Sequence, residues 1–163
     1  MEVKYACVDR EVENIWGQDP HLVIHVGVNG MAKNIHIEKC ASNGFCFKDY
    51  DMKSLCEPRI CLENSGRCEL LETTVDVEGI VNFLNSTHKP IYSASCDVGS
   101  YLCGYIYLKS LDKDPSRVVF IHVPPISEKF SVEVTSTGVL KIIEQCLLQL
   151  MSSWYSETNN KCK

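Results

Sequence analysis

The stretch Leu22-Val23-Ile24-His25-Val26-Gly27-Val28 decides the fold class of this chain of 163 residues. It is short, rich in β-branched residues and apolar on both faces, which is typical of a buried strand in a parallel sheet. The dipeptide Asn29-Gly30 follows and predicts a turn. We therefore expect a parallel strand whose two faces are covered by other elements.

Helix-like and strand-like patterns alternate on either side of this stretch. Apolar residues recur at helical spacing over residues 5–16 and again after Gly99. Asp76 and Thr135 are candidate N-caps of two further helices. Three more segments have strand patterns: residues 35–38, 90–95 and 117–123. This alternation predicts an α/β fold, a three-layer α/β/α sandwich with a mostly parallel sheet.

The length predicts a single domain, because domains commonly have about 150 residues, and we assign residues 1–155 to it. Residues 41–72 are rich in Cys, and Gly, Pro and Ser interrupt any periodic pattern there. This segment is predicted as a long loop, and loops of that length are usually functional or mobile. Residues 156–163 are polar and are predicted to form a frayed C-terminal tail.

Composition and charge exclude several classes of function. The formal net charge is −5 and no basic stripe is present, which argues against nucleic-acid binding. The longest apolar stretches are far shorter than the about 20 residues needed to cross a bilayer, so no membrane association is expected. The first residues lack the apolar core of a secretory signal, so we expect a cytoplasmic protein.

Most of the ten cysteines are expected to be free thiols, because the cytoplasm keeps thiols reduced. Five of them lie close together in the sequence: Cys40, Cys46, Cys56, Cys61 and Cys68. They include no C-x-x-C pair, which structural zinc sites usually contain, so we expect no bound metal. No glycine-rich phosphate-binding motif is present, so no cofactor is expected.

Three residues near strand ends are candidates for catalysis: Glu38, Cys103 and His122. Open parallel sheets place reactive groups beyond the carboxyl ends of their strands. A thiol near a helix N-terminus suits a nucleophile, because the helix dipole favours thiolate. A His can hold the thiolate and later protonate a leaving amine, while a carboxylate orients the imidazole.

Each candidate also has a structural interpretation. Cys103 lies on an apolar helix and is also consistent with a buried structural thiol, and Cys96 competes with it as the nucleophile. His122 is alternatively a hydrogen-bonded core histidine. Glu38, which precedes Lys39, is alternatively a solvated charge. The residues alone leave these alternatives open.

Four segments, in order over nearly the whole chain, carry a resemblance to a known family: His21-Leu-Val-Ile-His-Val-Gly-Val-Asn-Gly-Met31, Ile37-Glu-Lys-Cys40, Ser93-Ala-Ser-Cys-Asp-Val-Gly-Ser-Tyr-Leu-Cys103 and Phe120-Ile-His-Val-Pro-Pro125. The chain resembles pyroglutamyl peptidase I, a family of cytosolic cysteine peptidases that remove N-terminal pyroglutamate from peptides. The resemblance implies that Cys103, His122 and Glu38 are the catalytic residues and that pyroglutamyl peptides are the partners. Beside the nucleophile, Tyr101 and Leu102 are candidates for the substrate pocket. By the same resemblance, Lys48 is a candidate for binding the substrate carbonyl.

The chain departs from this family at its start. In the family a first strand, a loop of the form G-F-x-P-F-G and a first helix precede the segment that Val3-Lys4-Tyr5 resembles, and we expect this chain to lack them. That strand would lie inside the sheet, so we expect its absence to leave backbone groups unpaired beside the site. Two hypotheses follow: a cysteine-type omega-peptidase, or a catalytically impaired relative that acts as a binding or regulatory protein. The oligomeric state is left open.

Overall fold

A computed structural model describes residues 4–43, 47–48, 54–55, 62–66 and 68–160 of the chain. Its helices are α1 (Tyr5–Trp16), α2 (Val77–Thr87), α3 (Leu102–Lys113) and α4 (Val132–Asn160). Its strands are β1 (Val23–Val28), β2 (Ile35–Glu38), β3 (Cys40–Ser42), β4 (Phe47–Lys48), β5 (Ser54–Leu55), β6 (Leu70–Glu72), β7 (Tyr92–Ser95) and β8 (Val118–Val123). The predicted α/β class is confirmed.

Four strands form the central sheet in the order β1-β8-β2-β7. β1 runs parallel to β8, and β2 runs parallel to β7. β2 and β8 are antiparallel and pair over three positions. The sheet is therefore mostly parallel, as predicted, and consists of two parallel pairs joined by one short antiparallel junction.

Alternation along β8 divides the core into two layers, because successive side chains of a strand point to opposite faces of the sheet. Phe120 lies with α1 and α3 on one face, whereas Ile121 lies with α2 and α4 on the other. Both side chains are buried. The predicted three-layer sandwich is confirmed.

β1 is an edge strand of the described sheet, which corrects the prediction that both of its faces are covered. Val23 and His25 are buried on the face that carries α1 and α3, whereas Val26 is 53% and Val28 67% exposed. Val26 and Val28 point to the other face and line an apolar groove with the segment after β8 and the first turns of α4. Apolar residues on both faces of β1 are therefore not evidence that both faces are buried.

The segment 41–72 contains short strands where the sequence predicts a loop. β3 pairs with β6 and β4 with β5, both antiparallel. Asp112 near the end of α3 anchors the segment, because its carboxylate accepts hydrogen bonds from the backbone N–H groups of Asn64 (3.1 Å) and Ser65 (2.7 Å). Three cysteines of the segment lie outside the described residues: Cys46, Cys56 and Cys61. In the described part of the chain, no group of three or more His, Cys, Asp or Glu side chains is arranged to hold a metal ion.

The helix ends agree with the sequence prediction for α2 and differ for α4. The Asp76 side chain caps α2 by accepting a hydrogen bond of 2.9 Å from the Gly79 backbone N–H. α4 begins at Val132, and the Ser131 hydroxyl accepts a backbone N–H in its first turn, so Ser131 replaces Thr135 as the cap. The same helix continues through residues 156–160, which were predicted to fray. None of the helices within the described ranges combines the length and the apolar character that a bilayer span requires.

Candidate active site

Glu38 and His122 meet across the antiparallel junction between β2 and β8. Glu38 lies opposite Phe120, two residues before His122, so the three side chains point to the same face of the sheet. Diagonal neighbours of this kind lie roughly 7–8 Å apart, within reach of long side chains. His122 Nδ1 and Glu38 Oε1 are 2.7 Å apart. Glu38 is 0% and His122 4% exposed, so both side chains are buried.

Neighbouring side chains hold this pair in place. The Tyr107 hydroxyl donates a hydrogen bond of 2.8 Å to the Glu38 backbone oxygen. The Phe120 ring packs on the imidazole, with ring centroids 4.7 Å apart. Glu38 Oε2 is buried and has no hydrogen-bond partner among the described residues. The carboxylate is thus directed at His122, which is the arrangement that fixes an imidazole in one orientation.

Cys103 is the second residue of α3 and lies at the N-terminal end of that helix. The N-cap residue Tyr101 has an extended backbone, and its side chain makes no capping hydrogen bond. The first N–H groups of α3 are therefore not satisfied by this residue, and a helix N-terminus favours negative charge nearby. Cys103 itself is partly buried at the margin of the core beneath α3.

The protonation of His122 is set by its two neighbours. Burial disfavours the charged imidazolium, but hydrogen bonds and charge interactions with Cys103 and Glu38 outweigh burial and raise the pKa of His122 to about 9. His122 is therefore protonated at neutral pH, between the Cys103 sulfur and the Glu38 carboxyl group. A cluster of this kind can perform nucleophilic attack on a carbonyl carbon.

A cavity of about 650 Å³ opens onto Cys103 and His122. One wall is formed by Val28 and the turn Asn29-Gly30 at the end of β1. The other wall is formed by residues 97–101, which precede α3. Gly99 in this second wall has a φ of +80°, a left-handed conformation that favours glycine. The candidate nucleophile and base thus share one solvent-accessible space.

The structure brings together Glu38, Cys103 and His122, the three residues predicted for catalysis. The alternative of a solvated Glu38 is wrong, because its side chain is fully buried. The competing thiol, Cys96, is exposed and is not part of the cavity lining. The arrangement therefore favours Cys103 over Cys96 as the nucleophile.

The predicted substrate-binding residues lie in different places. Tyr101 lines the cavity and is 54% exposed. Leu102 is 7% exposed and packs in the core beneath α3, so its predicted place in the pocket is corrected; the first turn of the helix directs it inward. Lys48 belongs to β4, but its side chain lies outside the described residues, and its role stays a prediction.

Sequence reasoning misses most of the cavity wall. The turn Asn29-Gly30 and residues 97–100 supply it, and none of them is among the residues predicted for catalysis or substrate binding. One signal could have located them. Asn29-Gly30 directly follows a predicted strand and Gly99 directly precedes the predicted nucleophile's helix, and glycine turns at such points commonly approach a ligand closely.

Comparison with known proteins relates this chain to one group of peptidases. The rat and human proteins named Pyroglutamyl-peptidase 1 are each 31% identical to it over 149 residues, which cover 90% of this chain and 70% of each relative. The human Pyroglutamyl-peptidase 1-like protein is 30% identical over 149 residues, which cover 90% of this chain and 74% of that protein. No family model matches the chain.

Solved structures show the same fold. A mutant pyrrolidone carboxyl peptidase from Pyrococcus furiosus matches with a TM-score of 0.76 and 25% identity, over 92% of this chain and 80% of that one. The pyrrolidone carboxyl peptidase from Thermus thermophilus matches with a TM-score of 0.73 and 21% identity, over 89% of this chain and 80% of that one. The fold is thus the α/β fold of the pyrrolidone carboxyl peptidases. The chain belongs to the pyroglutamyl-peptidase I family.

Proposed function

We propose that this protein is a cysteine-type omega-peptidase that removes N-terminal pyroglutamate from peptides in the cytoplasm. The observation that carries the proposal is the buried contact of 2.7 Å between His122 Nδ1 and Glu38 Oε1, beside Cys103 on the wall of the same cavity. A nucleophile, a base and an orienting carboxylate are the three parts that covalent catalysis at a carbonyl needs. Membership of the family supplies the substrate class, peptides that begin with pyroglutamate.

In the proposed reaction His122 holds the proton of the Cys103 thiol. The Cys103 sulfur attacks the carbonyl carbon of the pyroglutamyl residue, and the carbonyl electron pair moves to oxygen. When this intermediate collapses, the C–N bond breaks and His122 gives its proton to the leaving amine. Water, deprotonated by His122, then hydrolyses the thioester, releases pyroglutamate and restores the thiol. Glu38 holds the imidazole in one orientation throughout.

The cavity suits an uncharged lactam ring. Apart from the reacting Cys103 and His122, only Asp97 has a carboxylate or a basic side chain among the described residues that line it, while Val28 and Val98 provide apolar surface. Pyroglutamate has no N-terminal ammonium group, so its recognition depends on shape, apolar contact and a few hydrogen bonds. The backbone N–H and C=O of Asn29 are paired with Val123 and Ala32, so the exposed Gly30 is proposed to supply such hydrogen-bonding groups.

Two further residues complete the proposed substrate site. Tyr101 is proposed to cover one side of the lactam ring, because it lies half-exposed on the cavity wall two residues before Cys103. Lys48 is proposed to bind the substrate carbonyl oxygen, as the family resemblance implies. A cation in that place would stabilise the oxyanion that forms when the sulfur attacks.

The test is hydrolysis of the fluorogenic aminomethylcoumarin amide of pyroglutamate by the purified chain. We expect turnover by the wild-type protein and no turnover by Cys103→Ala or His122→Ala. Cys96→Ala is the matched control and should keep the activity, because Cys96 is exposed and outside the cavity. Circular dichroism verifies that each variant folds. A folded wild-type chain that hydrolyses neither this amide nor a pyroglutamyl dipeptide, or an active Cys103→Ala variant, would contradict the proposal.

A binding protein is the second candidate, and the open face of β1 favours it. Val26 and Val28 are exposed beside Pro124 and Pro125 in a groove of about 800 Å³. Contiguous apolar surface often marks a site of association, and an edge strand offers backbone groups for pairing. Concentration-dependent association in sedimentation experiments, together with no turnover, would favour this candidate over the peptidase.

A further inference from the structure

Gly27 lies directly beside the candidate catalytic histidine. In the parallel pair of β1 and β8, Gly27 is the register partner of His122. Register partners in neighbouring strands point to the same face of a sheet. A side chain at position 27 would therefore project toward α3, next to the imidazole. This is the place that the Cys103 side chain reaches from the first turn of α3.

The space above Gly27 is already occupied. A Cβ atom placed on Gly27 would lie 3.1 Å from Cys103 Sγ and 3.0 Å from Phe120 Cζ. Ordinary contacts of a Cβ begin near 3.4 Å, so either neighbour would have to move by a few tenths of an ångström. Gly27 belongs to a regular strand and its φ is not in the left-handed region. The need for glycine here is thus a matter of close approach and not of backbone conformation.

We propose that Gly27 is a positioning residue, whose missing side chain leaves a notch that seats Cys103 Sγ beside His122. The proposal deepens the proposed function and rests on it, because the notch sets the geometry of the candidate nucleophile. Gly27 itself does not react. Its contribution is to let the backbone of β1 approach the sulfur closely, so that the sulfur and the imidazole stay in contact. Displacements well below 1 Å matter here, since a misplacement of about 1 Å can cost about 100-fold in rate.

Phe120 offers a competing explanation for the same glycine. Its ring edge lies as close to the added Cβ as the sulfur does, and the ring also packs on His122. Replacing Phe120 by Leu removes the ring edge but leaves the 3.1 Å approach to Cys103 Sγ. The double variant Gly27→Ala/Phe120→Leu, compared with Phe120→Leu alone, therefore isolates the contact with sulfur.

The experiment measures alkylation of Cys103 by iodoacetamide as a function of pH, followed by peptide mapping, and does not depend on peptidase activity. In the wild-type protein we expect Cys103 to be the most reactive thiol at neutral pH, ahead of Cys96. In Gly27→Ala we expect its rate at pH 7 to fall about 10-fold, with little change near pH 10, where any accessible thiol is ionised. Ile24→Val is the control, because it changes one methylene on the same strand but on the opposite face.

The outcomes separate this proposal from the proposed function. If the alkylation rate of Cys103 at pH 7 falls by the same factor between Phe120→Leu and Gly27→Ala/Phe120→Leu, the result supports seating of the sulfur by Gly27. The same comparison tests the proposal if Gly27→Ala alone does not fold. An unchanged pH profile in folded Gly27→Ala, or a loss that disappears in the Phe120→Leu background, overturns it. A wild-type chain with a reactive Cys103 but no turnover of the pyroglutamyl amide refutes the proposed function and leaves the positioning result standing.

Discussion

Replacing Glu38 by Gln tests the pair at the centre of the site with the smallest change of shape. The Gln amide oxygen can still accept the hydrogen bond from His122 Nδ1, which now spans 2.7 Å to Glu38 Oε1. The negative charge is lost. The side chain is fully buried, so water does not replace that charge.

The size of the effect follows from the pKa of His122. Cys103 and Glu38 together raise it from 6.5 to about 9 against the effect of burial, which corresponds to about 3 kcal/mol in favour of the imidazolium. Without the Glu38 charge only Cys103 opposes burial. We expect the pKa of His122 to fall by at least about one unit, or about 1.4 kcal/mol. We also expect kcat/KM for the pyroglutamyl amide to fall at least about 10-fold at pH 7.

The free energy of unfolding should also depend on the protonation of His122. Because the pKa of His122 is higher in the folded chain than its ordinary value of 6.5, its contribution to stability is fully present below pH 6.5. That contribution is lost as the pH rises through about 9, up to about 3 kcal/mol in the wild-type protein. The Glu38→Gln variant should lose less over the same range.

The measurements are NMR titration of the His122 ring, urea denaturation at several pH values, and amide hydrolysis. Glu78→Gln is the control, because Glu78 is an exposed glutamate that pairs with Lys39 at 3.0 Å, away from the cavity. A folded Glu38→Gln variant whose His122 titrates as in the wild-type protein would refute this account of the pair.

Two further predictions concern stability. Burial lowers the pKa of His25 to about 4. As the pH drops from 6.5 toward 4, the unfolded chain therefore binds a proton at His25 before the folded chain does, and the free energy of unfolding falls. In urea denaturation, His25→Gln should reduce this pH dependence by up to about 3 kcal/mol. Asp76→Ala removes the cap of α2, a hydrogen bond of 2.9 Å to the Gly79 N–H, and should lower the free energy of unfolding by about 1 kcal/mol, whereas Asp76→Asn should keep most of it. Equal stabilities of Asp76→Ala and the wild-type protein would contradict the capping role.

The sequence predicts the candidate catalytic cluster by a rule that applies only in part. Residues at the carboxyl ends of parallel strands meet at one edge of a sheet, and this rule selected Glu38 and His122. In the structure β2 and β8 are antiparallel, so their carboxyl ends point in opposite directions. The two side chains meet because the junction is short and Glu38 lies opposite Phe120, one diagonal step from His122. Strand direction depends on long-range pairing, which local patterns do not encode.

Other differences have the same physical origin. The apolar residues of β1 predict burial, but whether a neighbouring element covers Val26 and Val28 is a property of the assembled sheet. Leu102 and Tyr101 are adjacent in sequence, yet one enters the core and the other lines the cavity, because the helix begins between them. Elements with strong local signals, such as α1 and the cap of α2, were predicted with nearly the observed bounds.

The short junction between β2 and β8 also has a consequence for how the protein loses activity. Three residue pairs connect two parallel pairs of strands, and the contact between Glu38 and His122 spans this connection. Proteins open locally in cooperative units that often coincide with supersecondary motifs. If the sheet separates here, β1–β8 and β2–β7 keep their internal hydrogen bonds while the carboxylate leaves the imidazole. Loss of the contact between Glu38 and His122 would then precede global unfolding, and hydrogen exchange would show the amides that bond across the β2–β8 junction losing protection before those within either parallel pair.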